Sequence, residues 1–314
     1  MLPKTDDHPT PSTASAIAAR FRSALTGTRR TASTAVAVLA MVLGIGAIGT
    51  PAAVAAPLSN PSLEVEVKCP GALAVVQVEW EGTRSARVHW TLTDTGADQK
   101  SPIIQVVGRN APGDGSSWTF RNGHTWYSLD GGRGDTAGGS TGLWDPPGIT
   151  QFNHLEVKVS NGTTAEGTAC STTKEMYNYS RIAYQYALNQ NGDEYQLGAT
   201  GPSQWDCSGL VWYTYQSVPN FPSWTRMDTG GQYDWARSAA ANNNSDLSNL
   251  TSRDAIAVSR SNLKVGDLIF YNGHVSFYAG NGRAFSALNE AAGVGYNPVD
   301  WAPVLGYYRI VGVR

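Results

Sequence analysis

Leu63-Glu64-Val65-Glu66-Val67-Lys68 alternates apolar and charged residues without a break. Side chains on a strand point to opposite faces in turn, so such a segment has one buried and one wet face. A chain with such a segment is committed to a sheet with something packed on one side. Further strand candidates follow at Ala74–Trp80, Ala86–Leu92, Ile103–Val107, Trp118–Phe120, Thr125–Ser128 and His154–Val159. Turn-rich stretches separate them, such as Pro112-Gly113-Asp114-Gly115 and Asp130-Gly131-Gly132-Arg133-Gly134. Short strands at this spacing predict an all-β, sandwich-like domain over residues 56–170. Trp118, Trp126, Tyr127 and Trp144 within it have two readings, a glycan-stacking face or core and turn packing. Packing is the commoner role for such residues.

The pattern then changes. Thr172-x-x-Glu175 reads as a capping box opening a helix, with Met176, Tyr179, Ile182, Ala183, Tyr186 and Ala187 on its apolar face. That helix is expected to end near Asn191-Gly192, and a second short one to begin at Cys207. Strands are expected at Asp267–Tyr271, His274–Ala279 and Arg283–Leu288, split by the turn signals Asn272-Gly273 and Gly280-Asn281-Gly282. Helices followed by an antiparallel meander predict an α+β domain over residues 171–314. The polar stretch Val218–Ser261, Asn-rich around Ala241–Asn249, is expected to hold one or two short helices and loops.

Residues 1–55 have the layout of an export signal. Arg29 and Arg30 precede an apolar run from Ala35 to Ile48, and Ala53-Val54-Ala55 fits the small-residue cleavage rule, making Ala56 the first mature residue. The run is about 14 residues, shorter than the ~20 that span a bilayer. Cleavage, no stable membrane insertion afterwards and a secreted or wall-associated location are therefore expected. The remainder has 18 basic and 23 acidic groups, and no basic patch suited to nucleic acid stands out. In an oxidising compartment Cys69 and Cys170, at the two ends of the β segment, are free to pair. Cys207 is then left alone, either buried and inert or a working thiol.

Trp205-Asp206-Cys207-Ser208-Gly209-Leu210-Val211-Trp212 places Asp206 as an N-cap and Cys207 at a helix N-terminus. Unsatisfied N–H groups there favour a thiolate and can lower a cysteine pKa from about 8.5 to roughly 3.5–7.5. They can also hold an oxyanion. A base is needed, and His274 is the only histidine after Cys170. On its strand His274, Ser276 and Tyr278 share one face.

Two blocks carry a resemblance. One is Glu194-Tyr195-Gln196-Leu197-Gly198-Ala199-Thr200-Gly201-Pro202-Ser203-Gln204-Trp205-Asp206-Cys207-Ser208-Gly209-Leu210-Val211. The other is Gly266-Asp267-Leu268-Ile269-Phe270-Tyr271-Asn272-Gly273-His274-Val275-Ser276-Phe277-Tyr278-Ala279-Gly280-Asn281-Gly282. With them, residues of about 176–314 resemble the NlpC-type cell-wall cysteine peptidases, a branch of the papain-like fold. The β segment lies outside the resemblance.

The resemblance implies an exported endopeptidase that hydrolyses peptidoglycan stem peptides, often at the bond between γ-D-glutamate and a diamino acid. It implies Cys207 as nucleophile and His274 as base, without metal or cofactor. Tyr195 matches a tyrosine near the nucleophile, while Asp206 and Ser208 match flanking residues that contact substrate or hold the loop. The family's third polar residue, often His, lies about twelve residues after the base. Ser286 stands there, with Asn289 as a rival if the hairpin turns tightly at Asn281-Gly282. The same fold also serves amidases, poly-γ-glutamate hydrolases and acyl transferases. A non-enzymatic wall-binding protein and a toxin delivered to competitors complete the alternatives.

Overall fold

The computed structural model describes residues 63–314 apart from 82–83, 111–114, 122–123, 131, 147, 149–152 and 244–249. The export-signal expectation for residues 1–55, and parts of the two turn-rich stretches and of the Asn-rich segment, lie outside the described residues.

The first half contributes β1 (Leu63–Cys69), β2 (Ala72–Trp80), β3 (Ala86–Asp94), β4 (Pro102–Arg109), β5 (Ser116–Ser117), β6 (Tyr127–Ser128), β7 (Thr136–Ser140), β8 (His154–Asn161) and β9 (Cys170–Asn178). Strands β1-β2-β3-β7 form one antiparallel sheet. Its inner residues Val65, Val76 and Val88 pack against Ile104, Val106 and Val157 of the second sheet. This is the sandwich that the alternation predicts, and a disulfide joins Cys69 at the end of β1 to Cys170 at the start of β9. Strand β7, which carries Gly138 and Gly139, was not among the expected strands. Gly139 serves close packing: a Cβ on it would stand 3.0 Å from the Trp90 indole nitrogen. Trp118–Phe120 is not a strand. Its short ladder with β4 is made by Ser116 and Ser117, while Trp118 and Phe120 pack beside Trp90.

The second half contributes α1 (Tyr179–Leu188), β10 (Glu194–Tyr195), β11 (Gln204–Trp205), α2 (Cys207–Gln216), α3 (Thr229–Asn243), β12 (Asp254–Ala257), β13 (Leu268–Tyr271), β14 (His274–Gly280), β15 (Arg283–Asn289), β16 (Gly293–Pro298) and β17 (Val304–Val313). The strands expected around His274 are all present. The capping box is not. Thr172 and Glu175 lie in β9, which pairs with β8 from Cys170 to Tyr177. Helix α1 starts later, capped by Asn178, whose Oδ1 accepts the Arg181 N–H at 3.3 Å. A ready-made ladder and two β-branched threonines outweigh a local cap. In the polar stretch, α3 is longer than the expected short helices. Gln232, Ala236, Ala240 and Asn243 form its buried stripe.

Strand β9 is shared between the halves. Beyond its ladder with β8, Met176–Asn178 pairs with Val311–Val313 of β17. One 11-stranded sheet therefore runs in the order β16-β15-β14-β13-β17-β9-β8-β4-β5, with β12 on β17 and β6 on β4. The first sheet covers one end of it. Helices α1 and α2 cover the other end, burying Tyr184, Leu210 and Tyr215 against Phe277 and Phe285. The halves also meet through side chains. Arg181 lies 4.7 Å over the Trp80 ring, and Lys264 pairs with Glu79 at 3.1 Å.

Candidate active site

Asp206 builds the start of α2. Its Oδ1 accepts the Gly209 N–H and, at 2.9 Å, the Ser208 hydroxyl. Its Oδ2 accepts the Gly198 N–H at 2.8 Å, and Arg226 reaches both oxygens at 3.1 and 3.2 Å. Asp206 and Ser208, expected to contact substrate or hold the loop, thus spend their side chains on the loop itself. Gly209 completes the joint, since a Cβ there would stand 2.1 Å from the Ala199 carbonyl oxygen.

This framework presents Cys207 as the first residue of α2, where helix N–H groups have no intrahelical acceptor. The thiol is buried, with Sγ 3.4 Å from Thr229 Oγ1. Gln232 holds α3 in place by donating to the Ser208 carbonyl at 2.9 Å, which sets Thr229 beside the sulfur. The helix position leads one to expect a depressed thiol pKa. The structure reverses that. Burial pushes the Cys207 thiol up, and the opposing hydrogen bonds from Thr229 and from the Val275 and Ser208 backbone do not cancel it.

His274 opens β14 and is buried. Its Nε2 lies 2.9 Å from Ser286 Oγ, and the Ser276 hydroxyl donates to the same oxygen at 3.1 Å. Burial pushes the imidazole down to about 4. The Trp301 ring stands edge-on to it at 5.2 Å. The β14–β15 register sets Phe277 opposite Phe285, which brings Ser286 to the histidine. Asn289 is turned elsewhere. Its Oδ1 accepts the N–H groups of Ala291 and Ala292, both at 3.0 Å, and shapes the turn into β16. Among the described hydrogen bonds none joins Cys207 Sγ directly to His274. The thiol instead meets the backbone of Val275, the next residue along.

Tyr195 is half-buried on β10, paired in parallel with β11 and packed on the core around Cys207. Its hydroxyl pKa is raised by burial first, then by the charges of Cys207 and Asp206 nearby. Three neighbours escaped the sequence reading. Thr229 sat in a stretch read as loops and short helices, Arg226 lies just before it, and Trp301 belongs to a short helical turn at Val299–Trp301. Among the described residues no three His, Cys, Asp or Glu side chains gather as a metal site requires, and no helix is long and apolar enough to cross a membrane.

The site thus gathers a thiol at a helix start, a strand histidine whose neighbour Val275 meets that thiol, and a serine behind the histidine. Residues 192–311 match the NlpC/P60 family model. A probable endopeptidase of Corynebacterium glutamicum is 30% identical over 120 residues, 37% of this chain and 47% of that protein. Murein DD-endopeptidase MepH of Escherichia coli is 30% identical over 136 residues, 40% of this chain and 42% of that one. The chain thus spans less than half the length of these curated relatives. Among solved structures, the peptidoglycan hydrolase RipB of Mycobacterium tuberculosis aligns with a TM-score of 0.31 at 27% identity, covering 42% of this chain and 63% of that one. The NlpC/p60 domain of the peptidoglycan hydrolase SagA aligns with a TM-score of 0.30 at 24% identity, covering 41% and 96%.

Proposed function

We propose that this protein is an exported cysteine endopeptidase that hydrolyses stem-peptide amide bonds of peptidoglycan, with Cys207 as nucleophile and His274 as base. The observation that carries the reading is the pairing of a buried histidine, held at Nε2 by Ser286, with a thiol seated against the very next residue, Val275. With Nε2–H donated to Ser286, Nδ1 keeps its lone pair for the thiol proton. Both groups rest uncharged, because burial raises one pKa and lowers the other. The proton therefore moves as the sulfur attacks, rather than beforehand.

Sγ adds to the amide carbonyl carbon while its proton passes to His274. The developing oxyanion is taken by the Cys207 N–H, with the Tyr195 hydroxyl as second donor. Collapse breaks the C–N bond, and the imidazolium returns its proton to the leaving amine. Water, deprotonated by His274, then cleaves the thioester. The family match and the names of the relatives support peptidoglycan as substrate; the γ-D-glutamyl to diamino acid bond rests on the sequence resemblance alone. The test is incubation with purified muropeptides followed by mass spectrometry. Cleavage products are expected from the wild type and none from Cys207→Ala. Equal cleavage by that variant, or no products from either, overturns the reading.

A further inference from the structure

Strands β4 and β8 point Ile104, Val106, Val157 and Val159 into the sandwich. The alternate residues face outward, and the register sets Ile103 opposite Ser160 and Gln105 opposite Lys158. These four line a cavity of about 410 Å³, a size within the ~300–1,000 Å³ of small-molecule sites.

Trp126 lines the same cavity. It precedes Tyr127 of β6, whose ring packs 4.9 Å from Trp90 in the aromatic cluster of the core. Trp126, in the bend just before β6, does not join that cluster. It is 39% exposed and stacked on His124 with ring centroids 5.2 Å apart. Trp118, Tyr127 and Trp144, the other aromatics considered for sugar stacking, pack against the core. Trp126 alone of the four is presented outward.

The remaining wall is the turn bearing Thr164, and it is firmly built. Glu166 accepts from the Ser101 hydroxyl at 2.9 Å and the Thr163 N–H at 2.8 Å. Lys100 donates to the carbonyls of Glu166 at 2.8 Å and Gly167 at 2.6 Å. Among its described lining residues there is no carboxylate, and Lys158 is a cation.

An indole beside an amide, hydroxyls and one ammonium matches a pyranose ring. The ring's C–H face is apolar and stacks on the indole, while its rim offers hydroxyl and acetamido groups. The absence of acidic lining and the presence of Lys158 suit a polymer that bears carboxylates. We propose that this cavity binds the amino-sugar strand of the wall polymer, with one pyranose ring on Trp126 and its polar rim on Gln105, Lys158 and Ser160. The choice of a wall glycan rests on the reading of Cys207 and His274, whereas the carbohydrate chemistry of the cavity does not.

The test uses the full chain with two probes: glycan strands stripped of peptides, and a soluble stem peptide free of sugar. Wild type is expected to bind the stripped strands, and Trp126→Ala to bind about tenfold more weakly. Trp126→Phe should recover part of the loss. Cleavage of the sugar-free peptide should match wild type in both variants. Gln105→Ala with Lys158→Ala should weaken strand binding at least threefold, which decides the matter if Trp126→Ala fails to fold. No binding of stripped strands by wild type, or full binding by both Trp126→Ala and the double variant, overturns the proposal. A wild type that binds strands but cleaves no peptide instead overturns the endopeptidase reading and leaves the glycan site standing.

Discussion

Ser286→Ala tests the least certain position in the sequence at its most definite point in the structure. The substitution removes the oxygen 2.9 Å from His274 Nε2 and leaves the imidazole buried without that partner. A neutral hydrogen bond contributes about 0.5–1.5 kcal/mol net, and one to a charged group about 1.5–3 kcal/mol. His274 is neutral at rest above about pH 4 and carries the proton in the transition state. Only the difference between the two bonds slows the reaction, about 1–1.5 kcal/mol, or about 5- to 12-fold in kcat/KM. Losing the oxygen also disfavours the imidazolium, so the acid limb of the pH–rate profile should shift to lower pH. Asn289→Ala removes a turn contact and should change kcat/KM less than about twofold. Steady-state kinetics on a soluble stem peptide across pH 3–9 reads both effects. The reasoning is refuted if Asn289→Ala slows turnover more than Ser286→Ala, or if Ser286→Ala leaves both rate and acid limb unmoved.

Wild-type activity should fall as pH drops through about 4, where His274 takes up a proton and ceases to be a base. Stability should weaken in a related window, which urea denaturation at stepped pH will show. The unfolded histidine binds its proton near pH 6.5 and the native one only near 4, so that contribution is lost progressively as pH falls between those values. Alkylation of Cys207 by iodoacetamide should be slow at pH 7 and climb only in alkaline solution, as followed by mass spectrometry. Fast labelling below pH 7 would reveal a resting thiolate and contradict the burial argument. Replacing Cys69 and Cys170 by Ser opens a link across a sequence separation of 101 and should cost about 2–5 kcal/mol by chemical denaturation.

Much of this was legible from short-range pattern. Alternation placed β1, β2, β3, β4 and β8, and turn residues placed the meander around His274. The two motif blocks marked Cys207, His274 and Tyr195, and the family spacing pointed to Ser286. What escaped depended on partners distant in sequence. Nothing local says that Thr172 and Glu175 will meet β8, so a capping box looked complete. Gly139 of β7 makes sense only beside Trp90. The burial that raises one pKa and lowers the other comes from the whole packing of helices and sheet, whereas a helix N-terminus is visible in a few letters. Thr229 and Trp301 reach the site from segments without periodic signal.

Strand β9 gives one last consequence. It hydrogen-bonds to β8 on the sandwich side and to β17 on the other, so the two halves are joined by a ladder instead of a tether. Modules on a flexible linker sweep a volume and sample many cutting positions. Under the two proposals made above, whatever the sandwich grips is presented to Cys207 at one set span and angle, as a gauge presents a workpiece to a blade. On that reading spacing along the polymer, and not only the bond's chemistry, decides where a cut falls.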